Sequence, residues 1–311
     1  MAVTGGIPDG SCTGGFVSLT TGDFRQKITT QTLLEKKQRG EKITCLTAYD
    51  YPSARLVDEA GIDIILVGDS LAMTMLGQEN TLSVTMAEML HHTKAVHRGT
   101  RHAFLIADMP YASFQLEPKM AVRNAARFLK EGGAEAVKLE GGEKRAGLVE
   151  RLRDAEIPVM GHIGLTPQSL HIMGGFKVQG KTLSSVEQLM RDAVALDRAG
   201  VCCLVLEGIP REVAAMITEE VETPTIGIGV GPDCDGQVLV FHDILNLTFA
   251  PPAKFVRRYA DVSGVIGDAL KAYKDDVHSG GYPGDAESYH LPKETAAVLE
   301  TIRARKRAMR K

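Results

Sequence analysis

Five acidic residues close short apolar runs in this chain: Asp50, Asp69, Asp108, Glu140 and Glu207. Ser70 follows Asp69 directly, Lys138 stands two residues before Glu140, and His162 lies within Gly161-His162-Ile163-Gly164. One carboxylate after a strand commonly caps the next helix. Several converging on one rim repel one another and require a cation, and an oxygen-rich set with few nitrogens and no thiolate suits Mg²⁺. Lys138 and Glu140, two apart, share a face of a strand, so both point into the same mouth. There the ammonium can pair with the acids, or fix a substrate carboxylate or developing oxyanion. His162 faces the same rim and is expected to bind rather than catalyse. Glu207, after Leu204-Val205-Leu206, has the apolar neighbours that suit a general base.

These residues must be positioned by strands. The apolar runs Ile43–Asp50, Ile62–Asp69, His102–Asp108, Ala136–Glu140, Ile157–Ile163, Val201–Glu207, Thr225–Gly229 and Val238–His242 read as buried parallel strands. Amphipathic stretches separate most of them. Thr85 with Glu88, and Ser184 with Glu187, have capping-box spacing. Pro118 and Pro210 suit a first helical turn, and Gly61, Gly132 and Gly200 suit left-handed helix ends. Eight strands alternating with helices predict a closed (β/α)₈ TIM barrel, whose functional residues gather where the strands end. An open doubly wound sheet is the alternative, but Gly227-Ile228-Gly229-Val230-Gly231 lacks the dinucleotide spacing. Only Pro232–Gln237 separates strands seven and eight, too few residues for a helix, which leaves an extended strap or a helical Val238–Leu245. Thr30–Gln38 is expected to plug the barrel bottom and Phe255–Ser279 to close it.

The 311 residues thus divide into an N-terminal arm (1–24), a single catalytic domain (25–285) and a partly helical tail (286–311). The arm is rich in Gly, Ser and Thr, has no apolar stretch and no basic residue before Arg25, which argues against a secretory or organelle leader. With 44% hydrophobic residues the chain can bury a large core, and no apolar run approaches the roughly 20 residues of a membrane span. Its formal charge of −3 offers no reason for nucleic acid or an anionic membrane as partner, and the basic run from Arg303 to Lys311 reads as a solvated end. Cys12, Cys45, Cys202, Cys203 and Cys234 form neither a disulfide framework nor a zinc knuckle, so a reducing, cytoplasmic setting is expected. Adjacent Cys202 and Cys203 would face opposite sides of a strand.

Nine motifs in order carry a resemblance. They are TAYDY (47–51), VGDS (67–70), AD-P (107–110), KLEGG (138–142), GHIGLTPQS (161–169), GGFKVQG (174–180), VLE (205–207), IGIG (226–229) and DGQVLV-HD (235–243). Together, over about residues 43–285, they resemble the ketopantoate hydroxymethyltransferase family. The resemblance implies a barrel of the phosphoenolpyruvate/pyruvate superfamily that uses Mg²⁺ and 5,10-methylenetetrahydrofolate to add a hydroxymethyl group to 3-methyl-2-oxobutanoate, giving 2-dehydropantoate. By motif, the metal acids fall on Asp69, Asp108 and Glu140. Substrate contacts fall on Asp69, Ser70, Asp108 and Lys138, with His162 nearby, and the base falls on Glu207. Homo-oligomers, often decamers, are implied as well.

The family's closing EHSF stretch reads Ala286-Glu287-Ser288-Tyr289 here, and IGIGAG reads Ile226 to Gly231 with Val230 in place of the alanine. Neither change touches a residue carried over. The rival on the same scaffold is a Mg²⁺-dependent 2-oxo acid C–C lyase or phosphonomutase. Such lyases carry a K-x-C-G-H loop, and no such segment occurs here. A barrel kept only as a binding module gives no reason for acids and a lysine to share one rim.

Overall fold

The computed structural model describes residues 25–310, so the arm at 1–24 lies outside the described residues. The elements in chain order are α1 (Thr30–Gln38), β1 (Ile43–Thr47), α2 (Tyr51–Glu59), β2 (Ile64–Val67), α3 (Leu71–Thr74), α4 (Met86–Gly99), β3 (Phe104–Asp108), α5 (Pro118–Arg127), β4 (Ala136–Glu140) and α6 (Ala146–Asp154). They continue with β5 (Val159–Gly164), α7 (Leu170–Met173), α8 (Leu183–Ala199), β6 (Cys203–Glu207), α9 (Arg211–Glu220), β7 (Thr225–Ile228), β8 (Gly236–Leu239), α10 (Phe241–Ile244), α11 (Val262–Ser279) and α12 (Lys293–Ala308). The eight strands pair in parallel, each with the next, and β8 returns to β1 to close the barrel.

Alternation along each strand divides the core in two. Ile64 and Leu66 point inward with Ile43, Cys45, Phe104, Ile106, Met160, Val205, Ile226 and Val238 to fill the barrel. Their neighbours Ile65, Val67, Leu105, Ala107, Leu204 and Leu206 point outward against the helices. Continuous apolar runs therefore satisfy both faces at once, which is why these strands do not alternate with polar residues. Helix α1 plugs the bottom as expected. Leu33 joins the inner cluster, Lys36 reaches Asp63 (2.6 Å) and Lys37 reaches Asp235 (2.9 Å).

Local signals mostly act where the sequence puts them. Thr85 and Glu88 form a reciprocal cap on α4, and Pro118 opens α5. On α8 the cap is Thr182 with Ser185, two residues ahead of Ser184 and Glu187, because a serine hydroxyl can close the reciprocal pair as well as a glutamate can. Pro210 is the N-cap of α9 rather than part of its first turn. A wide turn over Phe128–Gly132 extends α5, so the left-handed residue is Gly133 (φ 76°), not Gly132. Cys202 precedes β6 instead of lying in it, and its Sγ sits 3.9 Å from that of Cys203 rather than across the sheet.

The last crossover is an extended strap. Gly229 and Gly231 take positive φ and turn the chain within a few residues from β7 to β8. The stretch expected as strand eight splits into β8 and the single turn of α10. Helix α11 forms, but the expected closure does not: no residue of α11 is buried, and Val265, Leu270 and Tyr273 remain exposed. The tail forms α12, also without buried residues. Among the described residues no helix is long and apolar enough to cross a membrane.

Candidate active site

Strand register delivers the site. Asp108 at the end of β3 stands beside Lys138 in β4, Glu140 at the end of β4 beside His162 in β5, and Gly164 beside Glu207 at the end of β6. Asp69 lies two residues past β2, and its amide N–H donates to Asp108 Oδ2 (3.0 Å). The Lys138 ammonium is 3.0 Å from the same oxygen. His162 spans two acids, with Nε2 3.3 Å from Glu207 Oε2 and Nδ1 3.6 Å from Glu140 Oε1. Ser70 Oγ and the buried Tyr49 hydroxyl are 2.8 Å apart. Asp69, Ser70, Asp108, Lys138, Glu140, His162 and Glu207 all line one cavity of about 400 Å³ at the C-terminal rim, beneath Met73, Phe176 and Phe255. A larger hollow of about 610 Å³ opens at the opposite end beside α1, but it gathers no buried carboxylate.

The electrostatics are those of charge held away from water. Burial, with Asp108 and Glu140 close by, pushes the Asp69 carboxyl up to about 8. Burial raises Asp108 too, against the pull of Lys138. Glu140 stays below the usual carboxylate range, because His162 and Lys138 outweigh its burial. Burial works against the charge on Lys138, yet Asp108, Glu140 and Asp69 hold its ammonium well above the ordinary lysine value. Burial and Lys138 both oppose a charge on His162, and Glu140 and Glu207 overcome them to raise it to about 9.

Four carboxyl groups thus face two cationic side chains, and a divalent cation would neutralise the set. Two buried acid oxygens, Asp108 Oδ1 and Glu140 Oε1, have no hydrogen-bond partner among the described residues. Among the described residues no three His, Cys, Asp or Glu side chains group closely enough to enclose an ion by themselves. That donor set fits Mg²⁺, which keeps several waters and takes one or two carboxylates directly.

Two sequence expectations change. Asp50 does not line the cavity: its carboxylate accepts from the Ser53 amide (2.8 Å) as the N-cap of α2, so four of the five acids share the cavity. The surroundings of Glu207 are not purely apolar, since the His162 ring packs against its carboxylate. The site also includes a neutral side chain outside the set expected from the sequence. Gln168, 7% exposed, donates its side-chain amide to Asp69 Oδ2 and the Met109 carbonyl (both 2.9 Å), and its backbone N–H to Glu140 Oε2 (2.9 Å). A neutral amide carries no titratable signature, and its place within GHIGLTPQS, just after Pro167 on a rim loop, is the sign the sequence offers.

The chain matches the family model described as "Ketopantoate hydroxymethyltransferase" over residues 27–285. It is 75% identical over 295 residues to the 3-methyl-2-oxobutanoate hydroxymethyltransferase of Koribacter versatilis, covering 95% of this chain and 100% of that one. It is 53% identical to the enzyme of the same name from Syntrophomonas wolfei, covering 86% of this chain and 97% of that one. Solved structures share the fold at low identity. Phosphonopyruvate hydrolase with oxalate and Mg²⁺ superposes with a TM-score of 0.54 at 15% identity, covering 89% of this chain and 96% of that one. For 2,3-dimethylmalate lyase, a PEP mutase/isocitrate lyase superfamily member, the TM-score is 0.52 at 16% identity, with 90% and 98% covered. Identity of this order along nearly the whole chain, with the rim residues gathered in one cavity, leads to one conclusion: this chain is an enzyme of the ketopantoate hydroxymethyltransferase family.

Proposed function

We propose that the chain transfers a hydroxymethyl group from 5,10-methylenetetrahydrofolate to 3-methyl-2-oxobutanoate, with Mg²⁺ as resident cation. The observation that carries this reading is the division of the cavity. Asp69, Asp108 and Lys138 crowd together where β2, β3 and β4 end, and Glu207 stands apart at the end of β6. Asp69 and Asp108 would hold the cation directly, and Glu140 would reach it through water. Bound there, Mg²⁺ would supply Lewis-acid stabilisation of the negative charge that builds on the keto oxygen. Lys138, kept charged by its acidic neighbours, orients the substrate carboxylate together with Ser70. His162 holds Glu140 and Glu207 in place from between them.

Glu207 then accepts the C3 proton of the 2-oxo acid, and the C3–H electron pair passes into the enolate. One water opens the methylene bridge of the folate, which frees the one-carbon unit at the formaldehyde level and leaves tetrahydrofolate. The enolate carbon attacks that carbonyl carbon, a C–C bond forms, and the proton held by Glu207 passes to the new hydroxymethyl oxygen. The apolar mouth of Met73, Phe176 and Phe255 limits access of water to the carbanionic intermediate. Self-association is part of the same reading, since α11 and α12 present unburied Val265, Leu270, Val298 and Ile302 that a second copy would cover.

The test is consumption of 3-methyl-2-oxobutanoate with and without methylenetetrahydrofolate, and with and without chelator. Formation of 2-dehydropantoate that requires both folate and divalent cation supports the reading. Cleavage of a 2-oxo acid without folate would replace it by the lyase alternative.

A further inference from the structure

Two side-chain amides in series, Gln115 from the loop between β3 and α5 and Gln168 from the loop between β5 and α7, end on the acids of the cavity. At the outer end the Phe114 N–H donates to Gln115 Oε1 (3.4 Å). Gln115 Nε2 donates to Gln168 Oε1 (2.8 Å), and Gln168 Nε2 donates to Asp69 Oδ2 and to the Met109 carbonyl. The direction of this relay is forced by chemistry. A main-chain carbonyl can only accept, so the nitrogen of Gln168 must face Met109 and Asp69. Its oxygen is then turned outward, where it needs a donor, and Gln115 provides one. The loop bearing Gln115 is itself pinned. Asn124 of α5 donates to the Ser113 carbonyl (2.8 Å), and the Arg145 guanidinium stacks 5.2 Å above the Phe114 ring.

Gln168 therefore touches three of the strand ends that build the cavity. Its side chain holds Asp69 and the residue after Asp108, and its backbone N–H holds Glu140. An acidic cluster of this kind tends to spread by mutual repulsion, and a buried neutral donor opposes that without cancelling the charge a cation needs. We propose that Gln168, oriented by Gln115, is a positioning residue for the reaction, setting the Asp69 and Glu140 carboxylates in the arrangement that accepts a divalent cation. The inference rests on the cation reading above and adds to it the two glutamines that make the site.

Mn²⁺, a spectroscopic stand-in for Mg²⁺, tests this by direct titration of the full-length protein with electron paramagnetic resonance. Gln168→Met keeps the backbone N–H and the volume but loses all three side-chain hydrogen bonds, and should weaken Mn²⁺ binding about 10–100-fold, the usual effect of losing a group that orients a metal ligand. Gln115→Glu is isosteric and lies outside the cavity lining, but presents an acceptor where Gln168 needs a donor; it should weaken Mn²⁺ binding about tenfold. Because Gln115→Glu leaves the cavity untouched, it decides the matter if Gln168→Met fails to fold. Wild-type affinity in a folded Gln115→Glu or Gln168→Met protein overturns the proposal. A wild-type protein that does not bind Mn²⁺ at all overturns the cation reading and this inference with it.

Discussion

Gly164 and Glu207 are register partners across β5 and β6, and a Cβ on residue 164 would stand 2.2 Å from the Glu207 carbonyl oxygen. The same carbonyl accepts the Leu165 N–H (2.8 Å), and Gly164 has φ 96°. The loop leaving β5 is thereby pressed onto the end of β6, which fixes how far the Glu207 side chain projects into the cavity. Gly164→Ala should destabilise the protein by roughly 2–4 kcal/mol, from backbone strain and overpacking together. It should also slow turnover more than it weakens substrate binding. Urea unfolding and a kcat/KM comparison measure both, and an unchanged unfolding midpoint would refute the contact.

Glu207→Gln keeps shape and hydrogen bonding but loses the basic carboxylate. In D₂O with Mg²⁺ and no folate, the wild-type enzyme should exchange the C3 proton of 3-methyl-2-oxobutanoate. The variant should do so about 10²–10⁴-fold more slowly, the usual worth of a positioned base. Proton NMR follows the exchange. A wild-type rate in the variant would transfer the role of base to another group, with Glu140 first in line.

Asp69→Asn and Asp108→Asn each remove one ionisable carboxyl from a crowded set. With chelator present Asp69→Asn should melt no lower than wild type, because a carboxyl whose charge is already disfavoured is replaced by a neutral group, whereas Asp108→Asn should melt lower, because the buried Lys138 ammonium loses its partner. The rise in melting temperature on adding Mg²⁺, expected for wild type by mass action, should shrink or vanish. Activity should fall with it. A full Mg²⁺-induced shift in both variants would remove these residues from the cation site.

Lys138 keeps its proton, since Asp108, Glu140 and Asp69 all favour the ammonium. A Schiff-base lysine needs the opposite setting. Borohydride added with substrate should therefore leave the mass of the protein unchanged, and a covalent adduct at Lys138 would falsify the enolate route.

His242 stacks on Tyr49 with ring centroids 5.4 Å apart, and burial holds its pKa below the ordinary 6.5 although Asp50 and Asp243 oppose the shift. The neutral ring is thus favoured in the folded state. Its contribution to stability is complete above pH 6.5 and is lost as pH falls through 6.5 toward the lower folded value, where the unfolded chain binds the proton first. Denaturant unfolding between pH 8 and pH 5 should show a shallower loss for His242→Gln than for wild type. Parallel slopes would show that His242 stays uncoupled from folding.

The barrel and most of its rim are legible in the chain of residues alone. Strands buried on both faces are written as continuous apolar runs, so Ile64–Val67 and Cys203–Glu207 could be read without knowing their neighbours. The acids closing those runs must then meet, because a closed parallel barrel brings every strand end to one mouth. Three matters depend on contacts between distant parts of the chain. Asp50 and Asp69 look alike in sequence, but the amide of Ser53 takes the first for a helix cap while Asp108 and Gln168 draw the second into the cavity. Gln168 gains its importance from contacts with residues 28, 59 and 99 positions away, which no local pattern encodes. Phe255–Ser279 reads as a closing helix, yet a helical pattern specifies only that a face should be covered, not by what, and among the described residues nothing buries α11.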